Sequence, residues 1–413
     1  MKVYLRTYGC RANQYDTEAV RAMVVGSGAE ITDDVTDADF AVFNSCTVTS
    51  AAEADLRADV RAASRANPEL RSIVMGCASA VPDRNESIAP LRTLSGVDAV
   101  IAGADTDAVC SALGLSPRVR FAAPQTGARA LLRIQDGCDE HCTFCATTIS
   151  RGANRSRAVR DLVDEAAQLA ETHPEIVITG IHIGSYGKDI GESLSKLVAT
   201  LLDEIPVARF RLTSIEATEV DEKLAELFVS DSSRIAPHLH APLQSGSDTV
   251  LRRMGRSWYT ARSYRDAIRR IVGNRTVFAL SADVITGFPG ETEADHAATL
   301  ALVDELPFTS LHVFPYSPRP GTPALKLGSA VPGGVSRRRS RELRALADQK
   351  AAAYRKVRVG GTCDVVVIER GKGLTEDYLS VDVPESVPRR SRFHATLRET
   401  ERGLTAFPHA ASG

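Results

Sequence analysis

Two groups of three cysteines have residue types and spacing that suit metal chemistry. Cys138, Cys142 and Cys145 fall in DGCDEHCTFC. Thiolate is the usual ligand of iron–sulfur clusters, and three cysteines on a four-iron cluster would leave one iron open to another molecule. A closed structural zinc site has four ligands, so zinc completed by a distant residue or by His141 is the alternative.

The second group is dispersed along the chain. Cys10, Cys46 and Cys77 end the segments TYGC, FNSC and VMGC, each directly after a predicted strand. Ligands of open α/β sheets bind at the carboxyl ends of the strands, so we expect these three thiols to converge there. Buried structural thiols are the alternative for this group, and they are the interpretation we give Cys110 and Cys363.

Composition is that of an ordinary soluble protein, with 43% hydrophobic and 25% charged residues among 413. MKVYLRTYGC lacks the apolar core of a signal peptide, and no apolar run is long enough to span a membrane, so we expect a cytoplasmic protein with no membrane partner. Cytosolic thiols stay reduced, which favours metal or redox roles over disulfides.

The net charge is -2, but residues 331–413 carry 16 Lys and Arg against 10 Asp and Glu, which suggests a polyanionic partner.

The elements that position these residues predict an α/β protein. Residues 1–111 alternate strands with helices, from about Asp16 to Val25 and from Ser50 to Ala66, and predict a parallel sheet. Residues 112–128 are predicted as a linker. Six strand–helix repeats in 129–335 predict a partial (β/α)6 barrel with its site at the strand carboxyl ends. A basic helical connector, 336–356, and a small β module, 357–413, of a type that binds RNA, complete the chain.

These motifs together resemble the methylthiotransferases of the radical S-adenosylmethionine superfamily over essentially the whole length. The branch acting on N6-threonylcarbamoyladenosine in tRNA is the most similar, through TYGCRANQYDTE, NSCTVT, IQDGCDEHCTFC, RGANRSR, TGIHIGSYGKD and HVFPYSPRPGTPA. The chain departs from the family at ATTISRG, where relatives commonly have two aliphatic residues and a proline.

The resemblance implies two 4Fe-4S clusters and S-adenosylmethionine as cofactors. Cys138, Cys142 and Cys145 would hold the cluster that chelates S-adenosylmethionine, and Cys10, Cys46 and Cys77 a second cluster that carries the sulfur. One S-adenosylmethionine would methylate that sulfur, and another would supply the 5'-deoxyadenosyl radical that takes hydrogen from C2 of adenosine 37. The implied partners are a tRNA anticodon stem-loop, an electron donor such as flavodoxin or ferredoxin, and a sulfur source, for a monomeric enzyme.

Further residues take roles from the same resemblance. The predicted S-adenosylmethionine contacts lie at strand ends and are Thr179, Gly180, Glu216, Gln244, Ser245 and Phe314. A turn-permitting glycine is the alternative for Gly180, and a surface carboxylate the alternative for Glu216. The C-terminal module resembles the TRAM domain, which implies phosphate contacts by Arg337, Arg338, Arg339, Arg389, Arg390 and Arg392. A solvated helix face is the alternative for the arginine run.

Three rival functions stay open at this point. The first two use the same chemistry, on N6-isopentenyladenosine-37 or on an aspartate of a ribosomal protein. The third is a zinc-stabilised RNA-binding protein without catalytic activity.

Overall fold

The computed structural model describes residues 1–47, 50–80, 91–115, 124–230, 234–401 and 403–409. Residues 116–123 of the predicted linker therefore lie outside the described residues. The chain divides into two compact units, described here one at a time. Unit 1 comprises Met1–Thr126, Gln135–Arg155 and Ser317–Lys326, and unit 2 comprises Gly127–Ile134, Ser156–Tyr316 and Leu327–Gly413. Among the helices of the described ranges, none is long and apolar enough to cross a membrane.

The secondary structure is mixed α/β, as predicted. The strands in chain order are β1 (Lys2–Thr7), β2 (Glu30–Thr32), β3 (Phe40–Ser45), β4 (Arg71–Gly76), β5 (Val97–Val100), β6 (Ala130–Arg133), β7 (Gln135–Asp136), β8 (Arg155–Ser156), β9 (Glu175–Thr179), β10 (Arg209–Leu212), β11 (His238–His240), β12 (Ala279–Thr286), β13 (Phe308–Pro315), β14 (Thr362–Glu369), β15 (Lys372–Thr375), β16 (Ser380–Asp382), β17 (Arg392–Thr400) and β18 (Gly403–Pro408). The α-helices are α1 (Arg11–Gly26), α2 (Ser50–Ala66), α3 (Cys77–Ala80), α4 (Thr106–Ala112), α5 (Thr147–Arg151), α6 (Val159–Ala170), α7 (Leu194–Glu204), α8 (Glu222–Ser230), α9 (Asp248–Arg253), α10 (Ala261–Val272), α11 (Glu293–Glu305) and α12 (Gly333–Arg358).

Unit 1 is built on the predicted parallel sheet, with strand order β2-β1-β3-β4-β5. Side chains of β3 alternate between its two faces, so Phe43 packs with α2 while Val42 packs with α1. Helix α1 begins at Arg11, earlier than predicted, because Cys10 already takes the extended N-cap conformation at the end of the β1 turn.

Two later segments of the chain complete unit 1. Gln135–Arg155 contains the Cys138 loop, and Ser317–Lys326 contains SPRPGTPA. The backbone N–H of Ala324 donates to the carbonyl of Thr143, 2.8 Å away. Arg319 is buried and donates to Glu53 on α2 at 3.0 Å. Hydrogen bonds therefore tie both segments into the unit.

Unit 2 contains six parallel strands in sequential order, as the predicted partial barrel requires. They form the sheets β10-β9-β6 and β11-β12-β13. Because β11 is only three residues long, β10 is linked to the β11 region by two isolated bridges, Phe210 with Ile235 and Ser214 with His240. One large apolar core lies between these strands and the helices.

The C-terminal part of unit 2 is a closed five-stranded barrel of order β14-β15-β16-β18-β17. It confirms the predicted small β module and has its own apolar core, which includes Val365, Val381 and Leu397. The predicted basic connector is the longer helix α12, which leads directly into the barrel.

A buried charge network joins the two barrels of unit 2. Glu175, at the start of β9, accepts hydrogen bonds from Arg209 at 2.6 Å and from Arg211 at 2.8 Å. Arg209 also donates to the carbonyl of Asp364 at 2.7 Å, and Arg211 to the carbonyl of Thr375 at 3.1 Å. The C-terminal barrel is therefore attached at the end of the strands opposite to the one where parallel-barrel sites form.

Candidate active site

The three dispersed cysteines come together at the carboxyl edge of the unit 1 sheet. The thiols of Cys10 and Cys77 lie 3.9 and 3.8 Å from the same Asn13 oxygen, Oδ1. Cys46 packs against Gly9, where an added Cβ would approach its sulfur to 2.5 Å. Gly9 also has a φ of +92°, so this close approach favours glycine on both counts.

Asn13 is held rigidly at the centre of this group. Its Nδ2 donates to the carbonyls of Tyr8 and Ser45, both at 2.8 Å, which fixes Oδ1 toward the thiols. Burial raises the pKa of Cys77, an effect that the nearby Arg151 opposes. A buried thiol of this kind loses its proton most readily when a metal binds it, because the metal supplies the missing positive charge.

The Cys138 loop also belongs to unit 1 and has a geometry suited to thiolate ligands. Backbone N–H groups point at two of the sulfurs, from Glu140 to Cys138 at 3.4 Å and from Thr147 to Cys145 at 3.3 Å. Such donors stabilise negative charge on sulfur. All eight cysteines of the chain are free thiols. The donor set of three partly exposed cysteines therefore fits an iron–sulfur cluster.

Gly137 shapes the start of this loop. It has a φ of +72°, and a Cβ at this position would overlap the carbonyl oxygen of Ala153. The Cys138 N–H donates to the Gly152 carbonyl at 3.0 Å, which closes the loop. Any side chain at position 137 would therefore displace the loop.

Arg151 links the two cysteine groups within unit 1. Its Nε lies 3.2 Å from the sulfur of Cys77, and its Nη2 donates to Asp16 at 2.8 Å. Although burial opposes the charged form, the charges of Asp16, Cys77 and Asp136 raise the pKa of Arg151. Arg151 lies in the quoted motif RGANRSR, but its residue type and spacing did not predict this role.

The predicted S-adenosylmethionine contacts lie in unit 2 at or just beyond strand ends. Thr179 ends β9 and is buried, and its carbonyl accepts from the Ile134 N–H at 2.9 Å. Gly180 follows it and is partly exposed. Gln244 has a φ of +60°, an unusual conformation for a residue with a side chain. Ser245 is buried, with its hydroxyl 3.3 Å from that of Thr299 on α11.

Glu216 and Phe314 differ in their surroundings. Glu216 is buried and accepts hydrogen bonds from Arg256 and from the indole nitrogen of Trp258. It is therefore not the surface carboxylate that was the alternative to a cofactor contact. Phe314 is 39% exposed at the end of β13, and its ring packs edge-on against His312. The roles of all six residues toward S-adenosylmethionine stay predictions.

A cluster that was not predicted from the sequence lies across β11, β12 and β13. Asp283 Oδ1 is 3.3 Å from His240 Nε2 and 3.1 Å from His312 Nδ1. Burial would raise the pKa of Asp283, but hydrogen bonds from the two imidazoles lower it below its ordinary value. Asp283 thus orients both rings, and His312 with Phe314 offers an exposed aromatic surface. Such surfaces stack on unpaired bases.

The six candidate RNA-binding arginines are placed differently from one another. Arg339 is buried and paired with Glu291 and Glu293, each at 2.8 Å. Its neighbour Arg338 is paired with Glu293 at 2.7 Å and Glu342 at 2.9 Å. Both guanidinium groups are thus paired with carboxylates: Arg339 is buried against residues at the start of α11, and Arg338 is half exposed in a surface ion-pair network.

The remaining four arginines lie on the helix and on the C-terminal barrel. Arg392 is paired with Asp364 at 2.7 Å. Arg390, partly exposed, has a φ of +71°. Arg337 and Arg389 are exposed, and Arg389 donates to the Ile368 carbonyl at 3.0 Å. Exposure therefore favours Arg337 and Arg389 as the stronger candidates for phosphate contact.

Two family models match this chain. Residues 2–98 match "Uncharacterized protein family UPF0004" and residues 132–303 match the radical SAM superfamily.

Named relatives match most of the chain. It is 34% identical to the threonylcarbamoyladenosine tRNA methylthiotransferase MtaB of Bacillus subtilis, over 92% of this chain and 89% of the relative. The MtaB of Aquifex aeolicus is 33% identical, over 92% and 96%. A tRNA-2-methylthio-N(6)-dimethylallyladenosine synthase of Erythrobacter litoralis is 34% identical, over 89% and 86%.

A solved structure shares the fold. The radical S-adenosylmethionine methyltransferase TsrM from Kitasatospora setae superposes with a TM-score of 0.59 at 15% identity, covering 78% of this chain and 76% of its own. At that identity the likeness concerns the fold alone.

Proposed function

Because this chain belongs to the methylthiotransferase family of radical S-adenosylmethionine enzymes, we propose that it converts N6-threonylcarbamoyladenosine-37 of tRNA into its 2-methylthio derivative. The broader activity follows from family membership: the chain is a radical S-adenosylmethionine tRNA methylthiotransferase that uses 4Fe-4S clusters and S-adenosylmethionine. Its substrate is tRNA, and it requires a reductant. The choice of modified adenosine is the proposal.

Near end-to-end matches with relatives named for threonylcarbamoyladenosine support the proposal, and the motifs quoted above carry the choice of this nucleoside. Three of these relatives align over 84 to 96% of their own length. A relative named for dimethylallyladenosine reaches the same identity, 34%, so this nucleoside is the second candidate. Identity does not separate the two substrates, and the motifs quoted above favour the first.

We assign the cluster ligands from the two convergent cysteine groups of unit 1. Cys138, Cys142 and Cys145 would hold the cluster to which S-adenosylmethionine binds. Cys10, Cys46 and Cys77 would hold the second cluster. When bound, these groups supply the radical and the sulfur that polar side chains cannot provide. The protein residues bind the cofactors, orient them and exclude water.

Recognition of the tRNA is assigned to two surfaces of unit 2. Arg337 and Arg389 are the candidates for phosphate contact, in line with the positive net charge of residues 331–413. The aromatic surface of His312 and Phe314 is the candidate for contact with the base.

The decisive experiment is mass spectrometry of tRNA nucleosides from cells lacking this protein. We expect 2-methylthio-N6-threonylcarbamoyladenosine to disappear and its unthiolated precursor to accumulate. The wild-type chain and a Cys110→Ala variant should restore the product, because Cys110 is a buried thiol outside both groups. A Cys142→Ala variant should not restore it.

Other outcomes, together with mass spectrometry of ribosomal proteins and metal analysis of the purified protein, identify the rivals. Loss of 2-methylthio-N6-dimethylallyladenosine would assign the second candidate substrate. Unchanged tRNA nucleosides, with loss of a methylthio group from a ribosomal-protein aspartate, would overturn the tRNA assignment. Purified protein with zinc and no sulfide would support the non-catalytic alternative.

A further inference from the structure

One buried guanidinium in unit 1 contacts both cysteine groups or their immediate neighbours. The Arg151 side chain is 1% exposed. Its Nε donates to Cys77 Sγ at 3.2 Å, and its Nη1 lies 3.4 Å from Asp136, two residues before Cys138. Its Nη2 donates to Asn13 Oδ1 at 2.6 Å, the oxygen that lies near the thiols of Cys10 and Cys77.

Because of its position in the chain, Arg151 connects the Cys138 loop to Cys77 and to α1. It is the last residue of α5, which begins two residues after Cys145. Gly152 ends the helix with a φ of +73°. The segment that carries the Cys138 group is therefore fastened to Cys77 and α1 through one side chain.

Arg151 makes one contact more than it needs to balance its own charge. Asp16 is fully buried and pairs with Arg151 Nη2 at 2.8 Å, so the guanidinium already has a buried counter-charge without Cys77. The contact with the Cys77 sulfur is an additional interaction. Because Arg151 is buried and its Nε–H points at the sulfur from 3.2 Å, this cationic donor acts on the sulfur with little screening by water, while Asp16 pairs with a different nitrogen, Nη2.

We propose that Arg151 is a positioning residue that holds Cys77 against the Cys138 segment and raises the reduction potential of the cluster at Cys10, Cys46 and Cys77. The proposal rests on the cluster assignment made under the proposed function. Reduction adds negative charge to a cluster and its ligand sulfurs. A cationic donor on one of those sulfurs stabilises the reduced form more than the oxidised form.

A higher potential has a use in this reaction. Replacing C–H by C–SCH3 with a thiomethyl anion removes two electrons overall. Hydrogen-atom abstraction by the 5'-deoxyadenosyl radical takes one of them with the hydrogen. The second electron must pass to an acceptor. A cluster held by Cys10, Cys46 and Cys77 would supply one, and Arg151 beside Cys77 would make it a better acceptor.

The test measures the midpoint potential of that cluster alone, by an EPR-monitored redox titration. The full-length parent chain carries serine at all three positions of the Cys138 group, so that only the second cluster assembles. Arg151→Met is expected to lower the potential, and Arg151→Lys, which keeps the charge, should recover part of the decrease.

Arg155→Met is the matched control. Arg155 lines the same pocket of about 330 Å³ as Arg151 and also faces Asp136, at 3.4 Å, but its side chain is mostly exposed. We expect it to leave the potential unchanged. An Arg151→Met potential equal to that of the parent would overturn the proposal, as would an equal decrease in the Arg155 control.

Loss of Arg151 would also remove the cation that pairs with the buried carboxylate of Asp16, which opposes folding and cluster assembly. The double variant Asp16→Asn, Arg151→Met removes the carboxylate charge as well and keeps the assay informative. Its potential should also lie below that of the parent, and an equal potential would refute the inference. If the parent itself binds no cluster, the cluster assignment fails, which is a different result from a cluster insensitive to Arg151.

Discussion

Replacing Glu175 by glutamine should destabilise unit 2 more than most single substitutions. The carboxylate is fully buried and faces three arginines: Arg209, Arg211 and Arg129. Burial opposes its ionisation, yet the arginine charges hold the pKa of Glu175 well below its ordinary value. Glutamine keeps the shape and some hydrogen bonds but removes the negative charge.

The size of the effect follows from what each arginine retains. Arg209 still pairs with Asp364 at 2.9 Å. Within the described part of the chain, Arg211 keeps the Thr375 carbonyl and the face of the Tyr378 ring, 4.9 Å away, but no second carboxylate. Removing one partner of a buried ion pair costs ~3–5 kcal/mol. At ~1.4 kcal/mol per tenfold, the unfolding equilibrium constant should rise by roughly two to three and a half orders of magnitude.

The assay uses the single tryptophan of the chain, Trp258, which lies in unit 2. Urea unfolding of Glu175→Gln followed by tryptophan fluorescence should show a clearly lower midpoint at pH 7. The exposed pair of Arg160 and Asp164 provides the control, and Asp164→Asn should leave the midpoint unchanged. A midpoint equal to that of the wild type would refute the view that Glu175 is the essential counter-charge.

The remaining predictions concern pH, the cysteine loops and RNA. Because the pKa of Glu175 is lower in the folded state, the stabilisation that this carboxylate gives the fold should be complete above its unfolded-state pKa of 4.5 and decrease as the pH falls below that value. Acid titrations of the wild type and of Glu175→Gln should show this difference. Iron analysis of Gly137→Ala should show the loss of the four irons that we assign to the Cys138 group. Gly114→Ala should keep them, because Gly114 has a similar φ of +73° but an added Cβ there would meet open space. Cys46→Ala should retain cleavage of S-adenosylmethionine but lose methylthiolation in a nucleoside assay; retained product would contradict the sulfur-carrier role. Arg389→Gln should weaken tRNA binding. The slope of the logarithm of the binding constant against the logarithm of the salt concentration should become shallower by about one, whereas unchanged binding would remove Arg389 from the interface.

The parts predicted from the sequence were those with local signals. The α2 prediction, Ser50 to Ala66, coincides with the observed helix. Strand ends were predictable from short apolar runs, and parallel strands bring their carboxyl ends together, so the convergence of Cys10, Cys46 and Cys77 followed from topology.

Residues that act through distant contacts carried no comparable signal. Arg151 meets Asp16 across 135 positions of sequence, and Glu175 meets Arg209 across 34. His240, Asp283 and His312 lie on three strands and become a cluster only when those strands pair in register. Side-chain identity alone does not distinguish such residues from ordinary surface charges.

The structure also changes how RNA binding should be tested. The sequence suggests a deletion from about residue 357, which removes the C-terminal barrel. That deletion would also remove Asp364 and the Thr375 carbonyl, leaving the fully buried Arg209 and Arg211 with Glu175 as their shared carboxylate partner. Two buried cations on one carboxylate are poorly compensated, so unit 2 itself would be destabilised. Weaker tRNA binding by the deletion would then have two causes, whereas substitution of an exposed arginine such as Arg389 changes the charge and leaves the buried network intact.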